Sequence, residues 1–173
     1  MPGTSKVYII GFMGSGKTTA GKKLASALGW SFADLDETIE QEQKKSIEKI
    51  FSESGEDYFR RLEYLALRSF DNALNIVIST GGGAPCNTGN IDFMKKTGIV
   101  IYLKMAAVEI LKRLEGQQDS RPLVKGRKGE DLKEFIENKM REREPFYNQA
   151  TITEDGSAVD IQKLTEKIRG IIG

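Results

Sequence analysis

Short apolar runs, each closed by glycine or by a polar stretch, set the rhythm of the chain. Lys6 to Ile10 predicts a short buried strand. From Lys17 to Leu28 the apolar positions Ala20, Leu24, Ala27 and Leu28 fall at helical spacing, and Gly29 stops them. A second short strand is predicted at Ser31 to Ala33, running through Asp34-Leu35-Asp36 into a polar helix from about Glu37. Ser46 to Phe70 reads as helical with an interruption around Ser54-Gly55. Asn75 to Thr80 is a β-branched strand stopped by Gly81-Gly82-Gly83, Gly98 to Leu103 another strand, and Ala106 to Leu114 a helix. The stretch from Gly116 to Lys128 is polar and contains glycine, the best candidate for a moving loop. A helix from about Glu130 is predicted to stop at Pro145, followed by a strand near Ala150 to Thr153 and a last helix, Ile161 to Ile171.

Five short strands alternating with helices predict a parallel sheet covered on both faces, a three-layer α/β fold. No repeat, low-complexity tract or linker divides the sequence, so 1–173 reads as a single domain.

Composition narrows the chemistry more than the fold. A net charge of +1 offers no global field for nucleic acid or an anionic membrane, so each basic residue needs its own reason. The first apolar run is too short for a signal core or a membrane span, and the expectation is a soluble, cytoplasmic protein. One cysteine, Cys86, permits no internal disulfide and no multi-thiolate metal site; it reads as a small buried residue. With no histidine in the chain, any general base must be a carboxylate, an amine or solvent.

Between the first strand and first helix lies Gly11-Phe12-Met13-Gly14-Ser15-Gly16-Lys17-Thr18, a G-x-x-x-x-G-K-T sequence followed by Thr19. Glycines let such a loop turn its N–H groups inward around phosphate, and the helix that follows adds its positive dipole end. Lys17 can reach the β- and γ-phosphates of ATP, and the Thr18 hydroxyl can ligate Mg²⁺. The strand-loop-helix context is the one the motif requires. Asn138-Lys139-Met140-Arg141 lacks the aspartate of a guanine-reading motif, which leaves a small-molecule kinase by elimination. Asp34 and Asp36 follow the second strand, where ligands sit in open α/β sheets. One could hold Mg²⁺ through water and the other orient an acceptor hydroxyl; alternatively Asp36 could simply cap the next helix.

The P-loop, Asp34-Leu35-Asp36, Phe59-Arg60-Arg61-Leu62-Glu63, Gly81-Gly82-Gly83, Arg121-Pro122-Leu123 and Arg143-Glu144-Pro145-Phe146-Tyr147 occur in the order found in shikimate kinases, which the chain resembles from Val7 to its last helix. The resemblance implies ATP- and Mg²⁺-dependent phosphorylation of the shikimate 3-hydroxyl in chorismate and aromatic amino-acid synthesis. It also implies a nucleoside-monophosphate-kinase-like fold with strand order 2-3-1-4-5, a substrate-binding region at about 34–70, a lid at about 116–128 and a monomer. Gly14, Ser15, Gly16, Lys17, Thr18 and Thr19 then resemble the ATP-phosphate site. Asp36 resembles the acceptor-hydroxyl ligand and base, and Asp34, with Thr18, the Mg²⁺ side. Arg60 and Arg143 resemble the pair that holds the substrate carboxylate, with Gly82 donating its backbone and Gly81 and Gly83 beside it. Arg121 resembles the lid arginine on the ATP phosphates and Arg113 the arginine beside adenine.

The residues themselves support these roles unevenly. Leu132, Ile136 and Met140 form an apolar stripe that Arg143 continues, which marks Arg143 as paired or ligand-binding. Around Arg60 the positions Tyr58, Leu62, Leu65 and Ala66 are read as the buried face, which turns Arg60 toward solvent. Pro122 restricts Arg121 to extended backbone, within a loop whose other basic residues are Lys125, Arg127 and Lys128. Two other readings remain: a P-loop kinase for another polyol acid such as gluconate, and a non-catalytic nucleotide-binding module.

Overall fold

Alternation within the central strands decides the layering. Strand β1 (Lys6–Ile10) sends Val7 and Ile9 into one apolar cluster and Tyr8 and Ile10 into another, all without solvent exposure. The computed structural model describes residues 5–117 and 121–173. In it β1 lies between β3 (Ile76–Ser79) and β4 (Ile99–Lys104), with Val7 in register with Val77 and Ile99. Strands β2 (Ser31–Asp34) and β5 (Ile152–Asp155) flank them, every pairing is parallel, and the order is β2-β3-β1-β4-β5.

Helices α1 (Lys17–Leu28) and α7 (Ile161–Ile172) cover the Val7 face with Ala20, Leu24, Leu164 and Ile168. The Tyr8 face packs against α2 (Leu35–Gln43), α3 (Ile47–Ser69), α4 (Asn90–Thr97), α5 (Ala107–Leu114) and α6 (Gly129–Tyr147). The break expected near Ser54-Gly55 is present, since Gly55 bends α3 with φ 80° and ψ 174°. No helix among the described residues is long and apolar enough to cross a membrane.

Three details depart from the periodicity. Helix α4 was not predicted because its eight residues bury only Ile91 and Met94 among apolar side chains, too few to show a repeat. Helix α6 runs past Pro145 to Tyr147. Proline there forgoes one hydrogen bond in the final turn, and Asn148 N–H closes on the Glu144 carbonyl regardless. Strand β5 begins at Ile152, two residues late, although Thr151 N–H already bonds the Val100 carbonyl of the neighbouring β4.

The carboxyl ends of β1, β2 and β3 lead directly into the P-loop, Asp34-Leu35-Asp36 and Gly81-Gly82-Gly83. The strand order reverses at β1, so these segments meet at the edge where such sheets bind ligands.

Candidate active site

The P-loop is shaped around an anion. Gly14 and Gly16 hold left-handed backbone (φ 79° and 86°), a region open to glycine, and Gly16 leads into α1 with no side-chain cap. The N–H groups of Lys17, Thr18 and Thr19 donate to no acceptor among the described residues, which leaves the dipole end of α1 open. Lys17 is buried, and its ammonium donates to the Phe12 carbonyl at 2.9 Å. Burial lowers its pKa to about 8 against the pull of Asp36, with Arg121 and Arg143 pushing the same way as burial.

Asp34 joins the phosphate end to the next helix. Its Oδ2 accepts the Thr18 hydroxyl at 2.8 Å, while Oδ1 accepts the N–H groups of Asp36 and Glu37 and so caps α2. The capping alternative considered for Asp36 therefore falls to Asp34. Asp36 is released to point inward, and its Oδ1 is buried without a hydrogen-bond partner. Burial first, and the Asp34 charge second, raise the Asp36 pKa to about 6.

Across the cavity, Arg60 is fixed by Glu63 (2.6 Å) and Glu56 (3.0 Å), and its side chain is only 19% exposed. The expectation that Arg60 faces solvent is thus overturned. Tyr58 and Leu65 are the exposed positions (41% and 61%), and the buried stripe of α3 is Phe59, Glu63, Ala66 and Leu67. Glu63 hid that stripe from the periodicity, because a buried carboxylate counts as polar in sequence. Burial pushes its pKa up to about 7, against the attraction of Arg60. Arg143 is buried on the α6 stripe as predicted and lies 5.3 Å over the Phe12 ring.

Each glycine after β3 admits a charged neighbour. An ideal Cβ on Gly81 would lie 2.8 Å from Glu63 Oε1 and 3.1 Å from Asp36 Oδ1. One on Gly82 would meet Arg143 Nη1 at 3.1 Å, and one on Gly83 both Arg60 Nη atoms at 2.6 Å. Arg121 has the extended backbone expected before proline (φ −125°, ψ 108°), and the Pro122–Val124 turn buries Val124 in the core. Lys125, next in the chain, pairs with Glu48 of α3. The predicted lid also includes 118–120, which lie outside the described residues.

Lys17, Thr18, Asp34, Asp36, Arg60, Glu63, the three glycines, Arg121 and Arg143 line one cavity of about 670 Å³, which also takes in Gly14, Gly16, Thr19, Phe51, Phe59 and Arg113. Arg113 donates to the Gly14 carbonyl at 3.0 Å, on the rim. Among the described residues five buried side-chain atoms lack a partner: Ser15 Oγ, Asp36 Oδ1, Glu63 Oε1, Arg121 Nε and Arg143 Nη1. Ser15 belongs to the P-loop and the other four residues line the cavity. A polar pocket with so many unmet groups is built for a polar ligand.

A family model for shikimate kinase matches residues 13–171. The chain belongs to the shikimate kinase family. It is 46% identical over 150 residues to a shikimate kinase of Parabacteroides distasonis, covering 87% of each chain. The crystal structure of shikimate kinase from Bacteroides thetaiotaomicron superposes with a TM-score of 0.86 at 34% identity, covering 96% of this chain and 97% of that one. Shikimate kinase from Acinetobacter baumannii in complex with shikimate gives 0.85 at 33%, covering 97% and 92%.

Against the shikimate kinase pattern, every singled-out residue lies in or on the rim of this cavity except Ser15, which sits inside the P-loop, and Cys86. Cys86 is half-buried, and burial pushes its thiol up to about 11, as suits a packing residue. Two functional contributions were missed from sequence. Glu63 entered only as the last residue of the Phe59-Arg60-Arg61-Leu62-Glu63 segment, although it lines the cavity and its Oε1 has no partner. Phe51 and Phe59, whose rings meet at 4.8 Å with a 43° tilt, form an apolar wall that sequence could not separate from ordinary core.

Proposed function

We propose that the chain transfers the γ-phosphoryl group of ATP to the 3-hydroxyl of shikimate, with Mg²⁺, as a single-domain cytoplasmic monomer. One observation carries the reading: the unpartnered Asp36 Oδ1 lies in the same cavity as the phosphate cradle and a two-arginine pocket. Shikimate carries a carboxylate at one end of its ring and hydroxyls at the other. Arg60 and Arg143 take the carboxylate, Phe51 and Phe59 wall the ring, and Asp36 accepts a hydrogen bond from the 3-hydroxyl. That oxygen attacks the γ-phosphorus while the bond to the β–γ bridging oxygen breaks, ADP departs, and Asp36 receives the proton. Lys17 and Arg121 stabilise the charge spread over the transferring oxygens, and Arg113 borders the nucleotide.

The donor set fits Mg²⁺. Among the described residues no group of three or more carboxylates or thiols could hold a metal alone. Thr18 and Asp34 supply one hydroxyl and one carboxylate, which suits an ion that completes its shell with phosphate oxygens and water. When bound, Mg²⁺ neutralises phosphate charge and holds the nucleotide in line.

The deciding measurement is ADP release with shikimate, gluconate, AMP or no acceptor. Turnover on shikimate alone is expected; turnover on gluconate but not shikimate overturns the proposal, and nucleotide binding without turnover favours a binding module. The glycines give a finer check. Gly83→Ala places a methyl on a guanidinium that Glu56 and Glu63 hold fast, so the shikimate KM is expected to rise by about tenfold or more while the ATP KM stays within about twofold. Steady-state kinetics on both substrates separates the two.

A further inference from the structure

Tyr147 stands one helical turn beyond Arg143 on the same face of α6. Its ring is 1% exposed and packs on Tyr102, with centroids 5.0 Å apart. Its hydroxyl donates a 2.5 Å hydrogen bond to the Gly82 carbonyl. No motif reasoning required this contact, and the chemistry above does not use it.

The glycine segment needs such a contact. Gly82 is wedged between Arg143 Nη1 and the P-loop, where an ideal Cβ would meet Met13 N at 3.2 Å, so packing excludes a side chain. Ala84 N–H closes a turn on the Gly81 carbonyl, and within it the two central glycines leave the Gly82–Gly83 peptide plane able to flip. Among the described residues no peptide is cis, so the Gly83 N–H points opposite to the Gly82 carbonyl, away from Tyr147. Gly82 and Gly83 both line the cavity, and neither N–H donates to an acceptor among the described residues.

We propose that Tyr147 is a positioning residue of the acceptor site: its hydroxyl locks the Gly82–Gly83 peptide so that the Gly83 N–H is presented to the carboxylate held by Arg60 and Arg143. The side chain never touches substrate. It acts through the central peptide of that turn, whose N–H and carbonyl make no other hydrogen bond among the described residues, and from the helix that also supplies Arg143, with which its hydroxyl also interacts, so both donors are set by one rigid element.

This rests on the function proposed above, and the test keeps the two apart. Tyr147→Phe preserves the ring and its packing on Tyr102 and removes one hydroxyl. The acceptor KM, and the acceptor Kd by calorimetry without nucleotide, are expected to rise by about tenfold, with kcat and the ATP KM within about twofold of wild type. Tyr102→Phe, the packing control, is expected to leave the acceptor KM unchanged. An unchanged acceptor KM in Tyr147→Phe overturns the inference. So does a matched loss for both substrates, or the same rise in Tyr102→Phe. Were the wild type to use another acid in place of shikimate, the proposed function would fall, and the Tyr147 comparison would be made with that acid.

Discussion

Asp36→Asn is expected to lower kcat by about a thousandfold while making the ligand-free protein more stable at neutral pH. Both effects have one cause. Burial and the Asp34 charge raise the Asp36 pKa from 3.8 to about 6, so the folded state binds the proton more tightly than the unfolded chain. The stability contributed by that proton is therefore full below about pH 4 and lost as pH rises through 6. At pH 7.5 the buried charge costs up to about 3 kcal/mol, from a shift of about two units. Asparagine carries no charge, so its melting temperature should exceed that of wild type at pH 7.5 and match it near pH 4. For the wild type, kcat/KM should fall as pH drops below about 6, where Asp36 no longer accepts a proton. Thermal unfolding and kinetics at the two pH values test both halves. A variant with unaltered kcat removes Asp36 from the reaction.

Arg143→Ala is expected to raise the shikimate KM by roughly 100- to 1,000-fold, a loss within the 2–5 kcal/mol range for truncating a buried charge partner. Arg143 is buried over the Phe12 ring, has Nη1 unpaired and borders Gly82, so under the proposed function its unmet hydrogen-bonding capacity is open to the acceptor. The ATP KM should change by no more than about threefold. Arg143→Lys should recover only part of the loss, because an ammonium lacks the planar fork that grips a carboxylate at two points. Equal damage to both substrates would move Arg143 out of the acceptor end.

The architecture was legible because the core strands are short and apolar, with glycine marking the end of β1 and of β3 and the start of β4, and because the P-loop fixes where the first strand ends. Arg143 was legible for a related reason: it extends an apolar stripe, so its burial could be read from spacing. Arg60 was not. Its helix presents aromatic and aliphatic residues on two faces, and the position that decides between them is Glu63, whose burial depends on an arginine partner and a glycine segment distant in sequence. The choice between Asp34 and Asp36 as helix cap lay equally out of reach, because it turns on Thr18 drawing Asp34 toward the P-loop. Tyr147 closes the Arg143-Glu144-Pro145-Phe146-Tyr147 segment, but nothing in the sequence joins its hydroxyl to a glycine 65 residues earlier.

The buried Lys17 amine has a consequence outside the reaction. With a pKa near 8 instead of 10.5, its uncharged, nucleophilic fraction at neutral pH is roughly 300 times that of an ordinary surface lysine. It also sits at the floor of an anion-binding loop, which would gather any reagent bearing a phosphate or sulfonate. An electrophile of that kind, an aldehyde or activated ester with an anionic tail, should select this one amine among the many in the chain. Nucleotide should shield it, both by filling the loop and by returning the amine to its charged, unreactive form. The group that steadies the phosphates is thus also the protein's natural handle for covalent capture.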